Sequence, residues 1–289
     1  MNSQAADAIA PIGSPAAASS AVGPYRLVAI DLDGTLLRSD KRLTATAGRA
    51  VQQCLERGIH VVLATARPPR AVKPIWEILG LQAVSIHYNG ALIHDFGKSR
   101  HVFHRPLAVP LVRKLVRVAR RADPDCVVSL EILDRWYTDY YDPKLPTETS
   151  LKFNPDVIGP LQAFMTVPVT KMMLHAPRER LLKLRTVVEK RFAGKVGMAL
   201  SDHHLMQLMH VACDKAVALE QVATELNIPR HEVLAIGDAP NDIRMLRWAG
   251  LGVAVRNAWP TVKQVADVHA PSNDEDGVAH TLHKYVLGS

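Results

Sequence analysis

Five near-continuous apolar runs set the strongest limit on how this chain can fold: Leu27–Ile30, Val61–Ala64, Ala83–Ile86, Val233–Ile236 and Leu251–Val255. A strand with one wet face alternates apolar and polar residues, whereas an unbroken apolar run suits a strand buried on both faces, as in a parallel sheet. Helical patterns lie between the runs. Thr44 is placed to cap a helix through Val51 and Leu55, with Gly58 as its stop, and Ala216, Leu219, Val222, Ala223 and Leu226 recur at helical spacing. Strand, helix and strand in succession predict an α/β fold: a doubly wound, mostly parallel sheet.

The stretch from about Arg105 to Leu205 has a different texture. Its candidate strands, Val127–Leu133, Trp136–Asp139, Val169–His175 and Leu205–His210, are more polar and alternate more. Helical segments near Leu111–Arg121 and Glu179–Phe192 lie among them. This reads as an inserted α+β module over 106–205, interrupting a core formed by 25–105 and 206–289. Residues 1–24 are rich in Ala, Ser, Pro and Gly, with no Lys or Arg before Arg26. They lack the charges of a signal or transit peptide and are expected to be a flexible tail.

No apolar run approaches the ~20 residues of a membrane span, so no membrane partner is expected. The cysteines, Cys54, Cys126 and Cys213, are odd in number and far apart, which suits a reduced, cytoplasmic protein. The formal net charge of +7 favours anionic partners. Basic residues are scattered with little aromatic interleaving, so a small phosphorylated molecule is expected rather than nucleic acid.

Ligands of a parallel α/β sheet bind at the carboxyl ends of its strands. Those ends carry Asp31 and Asp33, Thr65, Asn89, and Asp238 with Asn241 and Asp242, and helical Lys215 can join them. In an extended segment, residues two apart point the same way, so Asp31 and Asp33 can address one site. A carboxylate can accept a phosphoryl group, and a second can move the protons. Close carboxylates repel unless a cation sits among them, and magnesium suits hard oxygen ligands beside phosphate. Taken singly, each feature has a plainer reading. Asp-x-Asp-Gly occurs in turns, Asp238 or Asn241 can cap a helix, Thr65 can simply end a strand, and a lysine at a helix start is usually solvated.

Taken in order, "DLDGTLL" (Asp31–Leu37), "TAR" (Thr65–Arg67), "NGA" (Asn89–Ala91), Lys215, "GDAPND" (Gly237–Asp242) and "SNDEDGVA" (Ser272–Ala279) resemble the haloacid dehalogenase superfamily, specifically its Cof-type phosphatases with a large α/β cap. The resemblance runs from about Tyr25 to the C-terminus. It implies a Rossmann-like core, with Asp31 as nucleophile and Asp33 as acid and base. It implies magnesium held by the Asp31 carboxylate, the Asp33 carbonyl and Asp238, with Asp242 near its waters. It implies phosphate bound by the Leu32 backbone, Thr65, the Ala66 amide, Lys215 and Asn241. Two positions depart from the family pattern: Ala66 and Ala216 stand where glycine is usual. Neither removes a catalytic side chain, and alanine is small enough to be tolerated.

The expected function is a Mg2+-dependent phosphohydrolase for small phosphorylated metabolites such as sugar phosphates. A sugar phosphomutase and a phospho-accepting signalling domain are the alternatives. The signalling domain would not need the inserted module, and Asp33 offers a built-in base for hydrolysis. His203, His204 and His210 fit no common zinc spacing. "SNDEDG" lacks the acidic twelfth position of a calcium loop, where His283 stands.

Overall fold

The computed structural model describes residues 24–147 and 150–288, so nearly all of the expected tail lies outside the described residues. The chain opens with β1 (Leu27–Ile30), α1 (Ala45–Glu56), β2 (His60–Leu63), α2 (Pro69–Ile78), β3 (Ser85–His87), β4 (Leu92–Asp95) and β5 (Arg100–His104). The inserted module follows: α3 (Val109–Ala122), β6 (Val127–Ile132), β7 (Arg135–Thr138), β8 (Val157–Ile158), α4 (Leu161–Phe164), β9 (Lys171–His175), α5 (Arg178–Phe192), β10 (Val196–Asp202) and β11 (Leu205–His210). The chain then returns through α6 (Lys215–Glu225), β12 (Val233–Gly237), α7 (Ile243–Trp248), β13 (Leu251–Val255), α8 (Pro260–Lys263), β14 (Val268–Ala270) and α9 (Gly277–Leu282).

The core sheet runs β14-β13-β12-β1-β2, with every pair parallel. All four residues of β1 are fully buried, the two-sided burial its sequence demands. Helix α1 begins where expected: Thr44 Oγ1 accepts the Ala47 amide at 3.0 Å. Ala47, Ala50, Val51 and Cys54 form its buried stripe. Gly58, at φ +74°, takes the left-handed turn beyond it.

Two expectations need correction. The run ending at Ile86 is not another strand of the parallel sheet. It meets the neighbouring segment by one parallel bridge, Ala64 to Ile86, and pairs antiparallel with β4 in a small sheet ordered β3-β4-β5. The core also does not resume at 206. Strand β11 lies between β10 and β9 in the six-stranded cap sheet, ordered β10-β11-β9-β6-β7-β8, and the chain leaves the cap only after His210.

The cap has its own apolar core. Helices α3 and α5 cover one sheet face, burying Val112, Leu115, Leu181 and Leu184 against Val128, Leu130, Met172, Leu174, Met206 and Leu208. The opposite face carries Ser129, Glu131, Lys171, Met173 and Gln207, as strand alternation requires. The two linkers run side by side: Arg105 Nη1 donates to the Ala212 carbonyl, and Cys213 Sγ donates to the Arg105 carbonyl. Among the described residues no helix is long and apolar enough to cross a membrane, and all three cysteines are free.

Candidate active site

The site assembles where the parallel strands stop. The Asp31 amide still donates to the Ile236 carbonyl at 3.0 Å, so β1 delivers Asp31 beside the end of β12. The turn after Gly237 then brings in Asp238 and Asp242. Carboxylate oxygens of Asp31, Asp238 and Asp242 lie within 4.8 Å of one another, and all three residues are buried. Lys215, 1% exposed, opens α6 behind an Asp214 cap whose Oδ1 accepts the Ala216 amide at 2.7 Å. The alanine at 216 thus leaves the helix start well capped. Lys215 Nζ donates to Asp31 Oδ1 at 2.6 Å and to Asp242 Oδ1 at 2.7 Å.

The protonation pattern follows from burial and neighbours. Burial pushes the Asp31 carboxyl well up, Lys215 opposes this, and Asp242 and Asp238 add to it. Burial likewise raises Asp238 to about 6, against a 2.8 Å hydrogen bond from Thr35. Lys215 pays the same desolvation, but Asp242 and Asp31 reverse its effect and hold the ammonium charged. A bound cation would relieve the remaining repulsion between Asp31 and Asp238. An all-oxygen, carboxylate donor set is the chemistry that magnesium accepts, so these residues fit the ion. Asp242 is the most committed of the three acids. Its Oδ1 takes Lys215, and its Oδ2 accepts the Asp238 and Ala239 amides at 3.1 and 3.0 Å. Its visible work is to shape the loop and fix the lysine.

Gly34, at φ +79°, closes the first loop. A Cβ there would lie 2.6 Å from Asp238 Oδ2, so the two strand-end loops meet without room for a side chain. Leu32 is fully buried. Among the described residues no hydrogen bond engages the Leu32 or Ala66 amide, which leaves both available to an anion. Thr65 is 1% exposed, and its hydroxyl accepts the Arg67 amide at 3.1 Å. Asn241 is exposed and donates to Asn89 Oδ1 at 2.9 Å.

Asp33 is not part of the acidic triad. Its Oδ1 accepts Lys41 Nζ at 2.9 Å, and its Oδ2 accepts Arg67 Nε at 2.6 Å, with Arg67 Nη2 also on Oδ1. Burial raises its pKa, but the Arg67 and Lys41 contacts outweigh that and hold it at about 2. Sequence reasoning assigned no role to Arg67 or Lys41. Arg67 was within reach, since it follows Thr65 by two residues at the same strand end. Lys41, at φ +65° in a turn, carried no such signal.

The motif near the C-terminus braces this first loop. Asn273 Nδ2 donates to the Leu37 carbonyl, Asp274 accepts the Ser39 amide and hydroxyl, and Asp276 accepts the Thr44 hydroxyl.

A second polar cluster joins cap to core. Arg70, on α2, donates to both Glu131 oxygens and to Asp134 Oδ1. The Arg70 amide also donates to Asp134 Oδ1 at 3.1 Å. The Tyr88 hydroxyl lies 3.0 Å from Glu131 Oε2 and 2.7 Å from the Leu133 carbonyl. Tyr88 and Asn89 both adopt left-handed backbone, φ +50° and +54°, strain that these contacts help to hold.

The model of one protein family, the haloacid dehalogenase-like hydrolases, matches residues 28–282. The chain is 30% identical over 272 residues to the 5-amino-6-(5-phospho-D-ribitylamino)uracil phosphatase YitU of Bacillus subtilis, covering 91% of this chain and 97% of that one. It is 29% identical over 270 residues to an HMP-PP phosphatase of Yersinia enterocolitica, covering 91% and 96%. A crystal structure of a haloacid dehalogenase-like hydrolase from Bacteroides thetaiotaomicron superposes with a TM-score of 0.83 at 28% identity, covering 90% of this chain and 99% of that one.

Proposed function

The chain belongs to the haloacid dehalogenase-like hydrolases, and from that premise we propose that this phosphatase cleaves small phosphorylated metabolites, such as sugar phosphates, through a phospho-Asp31 intermediate. The observation that carries the reading is Asp31 itself: a buried carboxylate at a strand end, 2.6 Å from a lysine held charged, beside two further acids.

An Asp31 oxygen attacks phosphorus in line, and the ester bond to the leaving alcohol breaks. Asp33 gives that alcohol its proton, then takes one from the water that attacks phospho-Asp31, which frees phosphate and restores Asp31. The ionised Asp33 described above suits the second step. The first requires the Arg67 and Lys41 bonds to give way, and an arriving phosphate offers both cations another anion. Leu32 and Ala66 contribute amides to the phosphate oxygens, and Thr65, Lys215 and Asn241 contribute side chains. Asp31, Asp238 and the Asp33 carbonyl would hold Mg2+, with Asp242 at its outer waters. The ion supplies charge neutralisation on the transferring phosphoryl group. A reducing, cytoplasmic setting fits the three free thiols.

The test is phosphate release from a panel of phosphorylated metabolites and from phenyl phosphate. Asp31→Asn is expected to lower turnover at least about a thousandfold. Chelation is expected to abolish turnover and added Mg2+ to restore it. Undiminished release by Asp31→Asn overturns the mechanism.

A further inference from the structure

Lys171 opens β9 on the sheet face that α3 and α5 leave bare, and it is only 4% exposed. Its ammonium lies 4.9 Å from the centre of the Tyr88 ring. Its cross-strand neighbour Glu131 is already engaged, by Arg70 on both oxygens and by the Tyr88 hydroxyl. Among the described residues no carboxylate comes within ion-pair distance of Lys171 Nζ, and no acceptor comes within hydrogen-bonding distance. An ammonium has three donors, and one aromatic face satisfies none of them as a hydrogen bond would. Burial, offset by Glu131 and reinforced by Arg70, lowers its pKa to about 8. A buried cation left this way favours a partner rich in acceptors.

Its position connects it to the reaction. The Tyr88 amide donates to the carbonyl of Arg67, the residue that grips Asp33. Asn89, the next residue, pairs with Asn241. Lys171 therefore reaches down from the cap onto the segment that links the acid/base clamp to the phosphate side of the cleft.

We propose that Lys171 is a specificity-determining residue whose ammonium donates to oxygen acceptors on the leaving group, beyond the ester oxygen itself. The substrate class is then a phosphate monoester whose alcohol carries hydroxyl, carbonyl or carboxylate oxygens near the ester. This rests on the phosphatase reading above. The chemistry shared by these groups is an oxygen acceptor within reach of one ammonium.

The test compares wild type, Lys171→Met and Lys171→Arg, as Mg2+-loaded full chains, on three esters: phenyl phosphate and the best hydroxylated and best carboxylated phosphate esters from a panel. Lys171→Met keeps the length of the stem and removes the charge. It is expected to lower kcat/KM roughly tenfold or more on the oxygen-bearing esters, mainly through KM, and to leave phenyl phosphate unchanged. Lys171→Arg is expected to recover part of the loss. The ester that suffers more identifies hydroxyl or carboxylate as the preferred acceptor. An equal loss on phenyl phosphate makes Lys171 merely structural and overturns the proposal, as does no loss on any ester. Phenyl phosphate hydrolysis that depends on Asp31 establishes the underlying activity separately, so the two readings can fail apart.

Discussion

In the core, Asp31, Asp238 and Asp242 stand just beyond parallel strands and Lys215 at a helix start, whereas the cap carries Glu131 and Lys171 inside paired strands. Where a strand has ended, side chains from distant parts of the sequence can converge on one point and balance one another. Inside a strand, a charge must be met by whatever faces that surface. For Glu131 that is Arg70 of the core. For Lys171, among the described residues, it is the Tyr88 ring. The acids and lysine at the core's strand ends therefore balance one another, whereas the charged groups on the cap's polar face, Glu131 and Lys171, meet groups of the core.

The sharpest way to break this contrast is Lys215→Met. It leaves Asp31 and Asp242 buried without their shared cation, and a stability loss of about 3–5 kcal/mol is expected by urea denaturation. A loss below about 1 kcal/mol would mean that the core does not depend on internal pairing. Next comes Leu130→Ala, which hollows the cap's apolar core. A loss of about 2–5 kcal/mol is expected, with kcat on phenyl phosphate retained in the folded enzyme. A fall in kcat would show that the chemistry is not the core's alone.

The smallest expected effect is a pH dependence. His87, fully buried in β3 beside His94, has its pKa lowered to about 3 by burial, with His94 and His101 adding to the shift. From the ordinary value near 6.5 down to about 3, the unfolded chain binds a proton that the folded core refuses. Stability is thus complete above that window and falls as pH falls through it. Denaturation midpoints at pH 7 and pH 5 are expected to differ less for His87→Leu than for wild type. Equal slopes would show that His87 takes no part.

The same contrast explains what could be read in the sequence. The core strands are largely apolar runs, and the acids just beyond two of them, Asp31, Asp238 and Asp242, meet Lys215 from a helix start, so these four were visible as a set. The hairpin of β4 and β5 was not, because His94 and His101 interrupt its pattern. Strand β10, with Gly197 and two polar residues at its end, carried no strand signal, and β11, although its alternation matched the other cap strands, was divided from them by a boundary drawn at 205/206. Arg70, Glu131 and Lys171 were silent for a physical reason: a charged side chain in a one-domain pattern reads as a wet surface, and only the second domain shows that it is buried. Asp33's grip by Arg67 and Lys41 likewise depends on how two loops fold over each other.

The pairing of Leu27 with Val233 also orders events in time. The cap is one continuous stretch between two adjacent linkers, and all its sheet partners lie within it. The core must instead join its first strand to one made some two hundred residues later. On a ribosome, β1 and β2 emerge early with the apolar edge of β1 unpaired, and the cap can fold while that edge waits. Long-range parallel pairing is intrinsically slow, and an uncovered apolar edge is prone to aggregate. The cluster of Asp31, Asp238 and Lys215 is therefore completed late, after the cap's strands have been made.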